Sequence, residues 1–229
     1  MTDIPFSWAA FWDEKALAPT DFQATGRSIM DIPGFLVTVR EIVRILQPKK
    51  RGTLLDLGCG TGIISLALSP WVRRIHGVDI SPAMVDRAKV NCALAPNVEF
   101  SLGTVTDPGV AGPFDRVLAY SILQYLATED ELSTAFVALR RLLPKSGRAL
   151  YAANPDPARK EAYFQAAIQP GTPEDVKQKI VEVTAKTLWV GPDRMVALAR
   201  EQGLEAKALP ISKGIWQHFY MYDLVVWHG

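Results

Sequence analysis

The sequence predicts an α/β protein: a doubly wound, mostly parallel sheet of seven strands with a reversed final strand and a helical cap. Three observations predict it. Strand-like and helix-like segments alternate from residue 53 to residue 202. Leu54, Leu55 and Leu57 make a short continuous apolar run, as in strands covered on both faces. That run ends in a turn with three glycines, Gly58, Gly60 and Gly62, before a helical stretch opens at Ile63.

Taken in order, the chain begins with an aromatic cluster, Phe6, Trp8, Phe11 and Trp12, spaced for one face of a short helix. A polar segment, Gln23 to Arg27, follows; the two together are read as a helical lid over residues 1–32. Pro33 to Leu46 reads as a helix with Val37, Val39, Ile42, Val43, Ile45 and Leu46 at its apolar positions. Strand two is expected at Arg74–Asp79. Ser81 then caps a helix running to about Ala95, with Pro82 at its first position. Strands three, four and five are placed at Val98–Leu102, Phe114–Tyr120 and Arg148–Ala153, with a helix at Glu129–Leu143 stopped by Pro144 and Gly147. Two further helical stretches, Arg159–Ala167 and Pro173–Lys186, interrupt the alternation and read as a cap inserted over residues 154–190. A helix at Pro192–Gln202 and strands at Leu204–Ile211 and Phe219–Trp227 complete one domain spanning 1–229, with Gly214 in the final connection.

Composition narrows the function. The chain has 229 residues, 48% hydrophobic and 21% charged, with net charge +1, and its basic residues lie in short clusters such as Lys49–Arg51. No broad cationic footprint for nucleic acid is expected, and a small-molecule substrate is favoured. Two cysteines, Cys59 and Cys92, provide neither a disulfide framework nor metal-ligand spacing, so no metal is expected. The first residues lack a basic start followed by an apolar stretch, and no run of about 18 apolar residues occurs. The expectation is a cytoplasmic protein without membrane partners.

The stretch Asp56-Leu57-Gly58-Cys59-Gly60-Thr61-Gly62, followed by Asp79 at the end of the next strand, resembles the first motifs of class I S-adenosylmethionine-dependent methyltransferases of the small-molecule type. The resemblance implies a Rossmann-like methyltransferase fold and S-adenosylmethionine as cofactor, with S-adenosylhomocysteine as product. It places the methionine end of the cofactor at Asp56, Gly58, Cys59, Gly60 and Gly62, and the ribose hydroxyls on Asp79 beside Ile80. It assigns the adenine to Thr104 and Val105. Many relatives carry an acid where Thr104 stands, which brings in Asp107 as a substitute. Arg27 is read as a cation for the cofactor carboxylate, and Tyr120 as a wall of the same crevice. A nicotinamide-binding turn wants G-x-G-x-x-G, whereas Gly62 comes one residue early and Ile63 stands where a small residue is needed. The alternatives are a non-catalytic cofactor-binding regulatory or scaffolding protein, and an NAD-dependent oxidoreductase.

Methyl transfer is expected as an in-line displacement onto an O, N or C atom, driven mainly by alignment. His218 is the candidate general base, because an imidazole titrates near neutrality. Trp12, Gln124, Tyr125, Asn154, Arg159 and Trp189 are the candidate substrate-pocket residues. Ala119-Tyr120-Ser121-Ile122 stands where methyltransferases of nucleic-acid or glutamine amino groups have an Asn-Pro-Pro-Tyr-like turn. A small metabolite, such as a sugar-linked or phosphorylated compound, is therefore preferred.

Overall fold

The structure is a computed structural model that describes residues 6–26 and 31–229. Its sheet comprises β1 (Thr53–Leu57), β2 (Arg74–Asp79), β3 (Val98–Leu102), β4 (Arg116–Tyr120), β5 (Arg148–Pro155), β6 (Glu205–Pro210) and β7 (Met221–Trp227). The strand order is β3-β2-β1-β4-β5-β7-β6. Pairing is parallel from β3 through β5, and β7 runs antiparallel to both β5 and β6. The last strand thus inserts between β5 and β6 and leaves β6 at the edge. Strand order reverses between β1 and β4, which sets a crevice at their carboxyl ends.

The continuous apolar strands are explained by what covers them. Helices α3 (Ile32–Leu46) and α4 (Ile63–Leu68) pack on the face presenting Leu54, Ile75, Leu118 and Leu150. Helices α6 (Glu129–Leu142) and α9 (Pro192–Glu201) pack on the face presenting Leu55, Leu57, Val117, Ala119 and Tyr151. Adjacent strand residues point to opposite faces, so a strand buried on both sides needs apolar residues throughout. Helix α5 (Pro82–Asn91) starts at Ser81, whose hydroxyl accepts the Met84 amide. It stops earlier than Ala95, with a backbone turn closing Cys92 to Ala95.

Strand β5 runs two residues beyond Ala153 because a bulge is accommodated in it. The register with β7 shifts between Tyr151 and Asn154, and Ala153 adopts φ +57°. Two buried polar side chains satisfy the amides and carbonyls that the bulge displaces. Asp223 accepts the Ala153 amide at 2.9 Å, and Asn154 donates to the carbonyls of Tyr151 and Tyr222 at 2.7 and 3.3 Å.

The aromatic amino-terminal stretch forms α1 (Trp8–Lys15), followed by the single turn α2 (Asp21–Ala24). Both are fastened to α5 by charged groups. Asp13 accepts from the Ser81 hydroxyl at 2.6 Å and the Ala83 amide at 3.2 Å. Arg87 donates to Asp21 at 2.8 Å and to the carbonyls of Ala16 and Ala18, each at 2.7 Å. Asn91 joins Asp21 to the Thr61 carbonyl, so this latch reaches the glycine turn itself. The expected cap segment 154–190 begins within β5, at Asn154 and Pro155, and beyond them holds α7 (Lys160–Ala167) and α8 (Glu174–Ala185). It meets the amino-terminal segment where the Lys186 ammonium lies 4.8 Å from the Phe6 ring centroid.

Two predictions follow from these contacts. Burial, helped by the Glu41 carboxylate and opposed by the Ala153 amide and Arg44, pushes the Asp223 carboxyl from 3.8 up to about 6. An acid whose folded pKa is raised takes up a proton on folding. Its contribution therefore favours the native state at low pH and is lost as pH rises from about 4 to about 6. Asp223→Asn keeps an acceptor for Ala153 and is expected to flatten that part of the stability profile, by on the order of 2 kcal/mol in denaturant titrations. An unchanged profile would place the proton elsewhere. Arg87→Ala is expected to loosen the amino-terminal latch by about 2 kcal/mol. Amide exchange should accelerate across residues 8–24 and stay slow in β1 and β4; slow exchange in both regions would show that α1 and α2 do not depend on Arg87.

Candidate cofactor and substrate site

At the carboxyl ends of β1, β2 and β4 lies a cavity of about 400 Å³. Its floor is the glycine turn. Gly58, Gly60 and Gly62 have φ of +67°, +54° and +77°. At Gly58 the left-handed backbone coincides with a close approach, because an added Cβ would run into the Ile122 side chain. Gly60 also lines the cavity, and a Cβ there would sit 3.0 Å from the Thr25 methyl group. Gly62 does not line it; a Cβ at this position would press on Ala88 and Phe100, so Gly62 serves the packing of α4 against α5.

The turn's amides are largely engaged inside the protein. Gly58 and Cys59 donate to the Val78 carbonyl at 2.7 and 3.1 Å, Gly62 donates to Cys59, and Gly60 donates to Asp79 Oδ2 at 2.8 Å. With those amides engaged, the turn supplies room and shape. Asp56, next to it, is buried and accepts from the Ser65 hydroxyl at 2.5 Å.

Asp79 occupies the centre. Its Oδ1 accepts the Ser81 amide at 3.0 Å and its Oδ2 the Gly60 amide. A carboxylate oxygen has two acceptor positions, so both oxygens retain capacity for neighbouring hydroxyls. Burial raises the Asp79 pKa, the amides of Ser81, Gly60 and Ile80 oppose that shift, and Asp13 adds to it. Burial, with Asp56 and Asp79 close by, also pushes the Cys59 thiol well above its ordinary value, so Cys59 lines the site as a neutral thiol.

Ile80, Gly103, Thr104, Val105 and Thr106 form one end of the cavity, and Tyr120, Ser121, Ile122, Tyr125 and Leu126 form the side contributed by the β4 loop. Trp8 and Trp12 of α1 complete the wall. Their rings lie 4.6 and 5.3 Å from the Tyr125 ring, so the amino-terminal helix is seated on the β4 loop.

The structure brings together Trp12, Asp56, Gly58, Cys59, Gly60, Asp79, Ile80, Thr104, Val105, Tyr120 and Tyr125. Arg27 lies outside the described residues. Besides Gly62, six other sequence-based candidates stand away from the cavity, five of them for a local reason. Gln124 donates to the Ser121 hydroxyl and turns toward Leu188 and Tyr222. Asn154 serves the β5 bulge. Arg159 pairs with Asp156 at 3.6 Å and donates to the Phe219 carbonyl. Trp189 packs against Tyr163 and Tyr220, and its indole donates to Thr187. His218 is bound through Nδ1 to the Ile215 carbonyl at 2.9 Å, and the fold does not bring it to the cavity as a base. Asp107 is exposed and is likewise absent from the wall.

Sequence reasoning missed Met84, Glu131 and Thr134, which line the cavity. Glu131 and Thr134 were read only as helix. The available signal was topological: a helix that follows a parallel strand starts at the carboxyl edge, where its first turns face the crevice.

Residues 54–147 match the sequence model of a family described as "Methyltransferase domain". The chain is 37% identical over 79 residues to a magnesium-protoporphyrin O-methyltransferase of Rhodobacter capsulatus, covering 34% of this chain and 35% of that protein. It is 41% identical over 66 residues to a tRNA (uracil-5-)-methyltransferase homolog B of Danio rerio, covering 28% of this chain and 14% of that one. The chain thus spans less than half the length of these curated relatives. Among solved structures, a TehB-like SAM-dependent methyltransferase from Corynebacterium glutamicum superposes with a TM-score of 0.64 at 21% identity, covering 96% of this chain and 99% of that one. This likeness shows the fold, and the family match covers the turn and the strands that build the cavity. Residues 54–147 therefore match a methyltransferase-domain model, and the chain has the Rossmann-like fold of the S-adenosylmethionine-dependent methyltransferase on which it superposes.

Proposed function

We propose that the chain is an S-adenosylmethionine-dependent methyltransferase acting on a small molecule. The observation that carries the reading is the placement of Asp79, with acceptor capacity on both oxygens, at the wall of a 400 Å³ cavity floored by the Gly58–Gly60 turn. The residues fit the cofactor. Asp79 suits two adjacent ribose hydroxyls, and the space that Gly58 and Gly60 leave open suits the methionine moiety. Ile80 and Val105 offer apolar surface to a flat base.

The same geometry argues against a dinucleotide. A pyrophosphate is held by free backbone amides at such a turn, and the amides of Gly58, Cys59, Gly60 and Gly62 are already engaged. Asp56 and Asp79 beside them would repel it.

When bound, the cofactor supplies an electrophilic methyl carbon on a positively charged sulfur. The chain's task is alignment. Trp8, Trp12 and Tyr125 form an apolar corner that holds an acceptor and excludes water, while Tyr120, Ser121 and Ile122 limit where it sits. No histidine lines the cavity among the described residues, so the acceptor is expected to react by positioning rather than through an imidazole base. The small-molecule reading is supported by the walls. They present the carboxylates of Asp56, Asp79 and Glu131 and, among the described residues, no lysine or arginine. A polyanion would meet like charge there, and an anionic group on the acceptor, such as a phosphate, is disfavoured for the same reason.

Thermal shift and calorimetry with S-adenosylmethionine, S-adenosylhomocysteine and NAD test the cofactor. Stabilisation by the first two is expected, and a response to NAD alone would sink the proposal. Asp79→Asn should remove one acceptor from the ribose while leaving one for a backbone amide. We expect it to weaken S-adenosylhomocysteine by at least about tenfold, in line with charge-assisted hydrogen bonds of roughly 1.5–3 kcal/mol. Wild-type affinity in a folded variant would remove Asp79 from the site. Labelled-methyl transfer to a metabolite mixture separates an enzyme from a cofactor-binding regulator.

A further inference from the structure

The outer strands β2 and β3 depart from the continuous apolar pattern of the centre of the sheet. Arg74 and His76 alternate with Ile75 and Gly77, and Glu99 and Ser101 flank Phe100, so four polar side chains fall on one face. β3 is an edge strand. In its parallel register with β2, His76 stands opposite Glu99, and Ser101 follows two residues along. None of the four residues lines the cavity.

Their side chains form one directed chain of hydrogen bonds. The Arg74 guanidinium and His76 Nδ1 both meet Glu99 Oε1, the latter at 2.7 Å, and His76 Nε2 lies 2.7 Å from Ser101 Oγ. Burial opposes ionisation of Glu99, but Arg74 and His76 outweigh it and hold the carboxyl below its usual range. An ionised carboxylate only accepts, so a neutral His76 carries its ring proton on Nδ1. Its Nε2 is then the acceptor for the Ser101 hydroxyl. Nucleophile, base and orienting acid stand in the order that activates a serine hydroxyl. Solvent reaches the row, because the Arg74, Glu99 and His76 side chains are 57%, 43% and 17% exposed and Ser101 is half-buried.

We propose that Ser101 is an activated nucleophile and a site of covalent acylation by small activated esters, with His76 as its base. In this step Ser101 Oγ bonds to the acyl carbon and the ester C–O bond breaks, the leaving oxygen keeping the electron pair. The Oγ proton passes to His76 Nε2, which returns it to the leaving oxygen or to water. Glu99 and Arg74 are positioning residues that hold the imidazole in the tautomer and orientation the transfer needs. The site uses none of the residues assigned to the cofactor and stands apart from the methyl-transfer reading.

The test treats the full chain with p-nitrophenyl acetate and, separately, with a fluorophosphonate probe, which bonds to a serine oxygen with loss of fluoride. Peptide mass spectrometry then locates the modified serines and follows their rates. Ser101 is expected to react about a hundredfold faster than the other serines of the chain, the scale of one general base. Ser101→Ala should remove this fast labelling. His76→Gln keeps an N–H₂ donor for Glu99 but removes the base, and should bring Ser101 down to the rate of the other serines. Wild-type protein in which Ser101 is unlabelled, or reacts no faster than other serines, would overturn the proposal without recourse to any variant. Undiminished labelling of Ser101 in a folded His76→Gln variant would overturn it as well.

Discussion

The structure depends on the Asp79 carboxylate, which joins three elements at one point. One oxygen accepts the Gly60 amide from the turn after β1, and the other accepts the Ser81 amide that precedes α5. A buried carboxylate is costly unless its lone pairs are satisfied, and these two amides offset much of that cost. The same bonds hold the glycine turn against the end of β2, with the Val78 carbonyl taking the amides of Gly58 and Cys59. The floor of the cavity is therefore set before any ligand arrives, which is the preorganisation that transfer by alignment requires.

Around that point the amino-terminal segment and α5 form a second unit. Ser81 caps α5 by accepting the Met84 amide and at the same time donates to Asp13 of α1. Arg87 and Asn91, on later turns of α5, hold Asp21 and the carbonyls of Ala16 and Ala18. One helix thus carries the strand-end acid on one side and fastens the aromatic wall on the other. Trp8 and Trp12 reach the cavity because polar contacts remote from it fix the helix that bears them.

The cap follows a different logic. Trp189, Tyr163 and Tyr220 form their own aromatic cluster, with the Lys160 ammonium 5.4 Å from the indole. The cap connects to the β4 loop through the Leu188 amide on the Gln124 carbonyl, and to β7 through the Tyr222 hydroxyl on the Val190 carbonyl. None of residues 154–190 lines the cavity. Their contribution is to brace the loop that bears Tyr125.

Local pattern alone determined the sheet and the floor of the site. Strands buried on both faces are written as apolar runs, a helix start as Ser81-Pro82, and the acid at a strand end as Asp79, and each of these signals lies within a few neighbouring residues. The reversed last strand was legible too, from a short connection between the final two strands. What the tertiary structure decided was direction. Asn154, Trp189 and His218 are chemically suited to a pocket, yet a bulge, an aromatic cluster and a loop carbonyl claim them. Those partners are 68 residues from Asn154 in Tyr222 and 31 residues from Trp189 in Tyr220, or on a turn whose path no periodicity reveals. Glu131 and Thr134 show the converse. In sequence they are ordinary residues of a helix start, and they become wall residues because the packing of α6 on Val78 and Val105 turns that start toward the crevice.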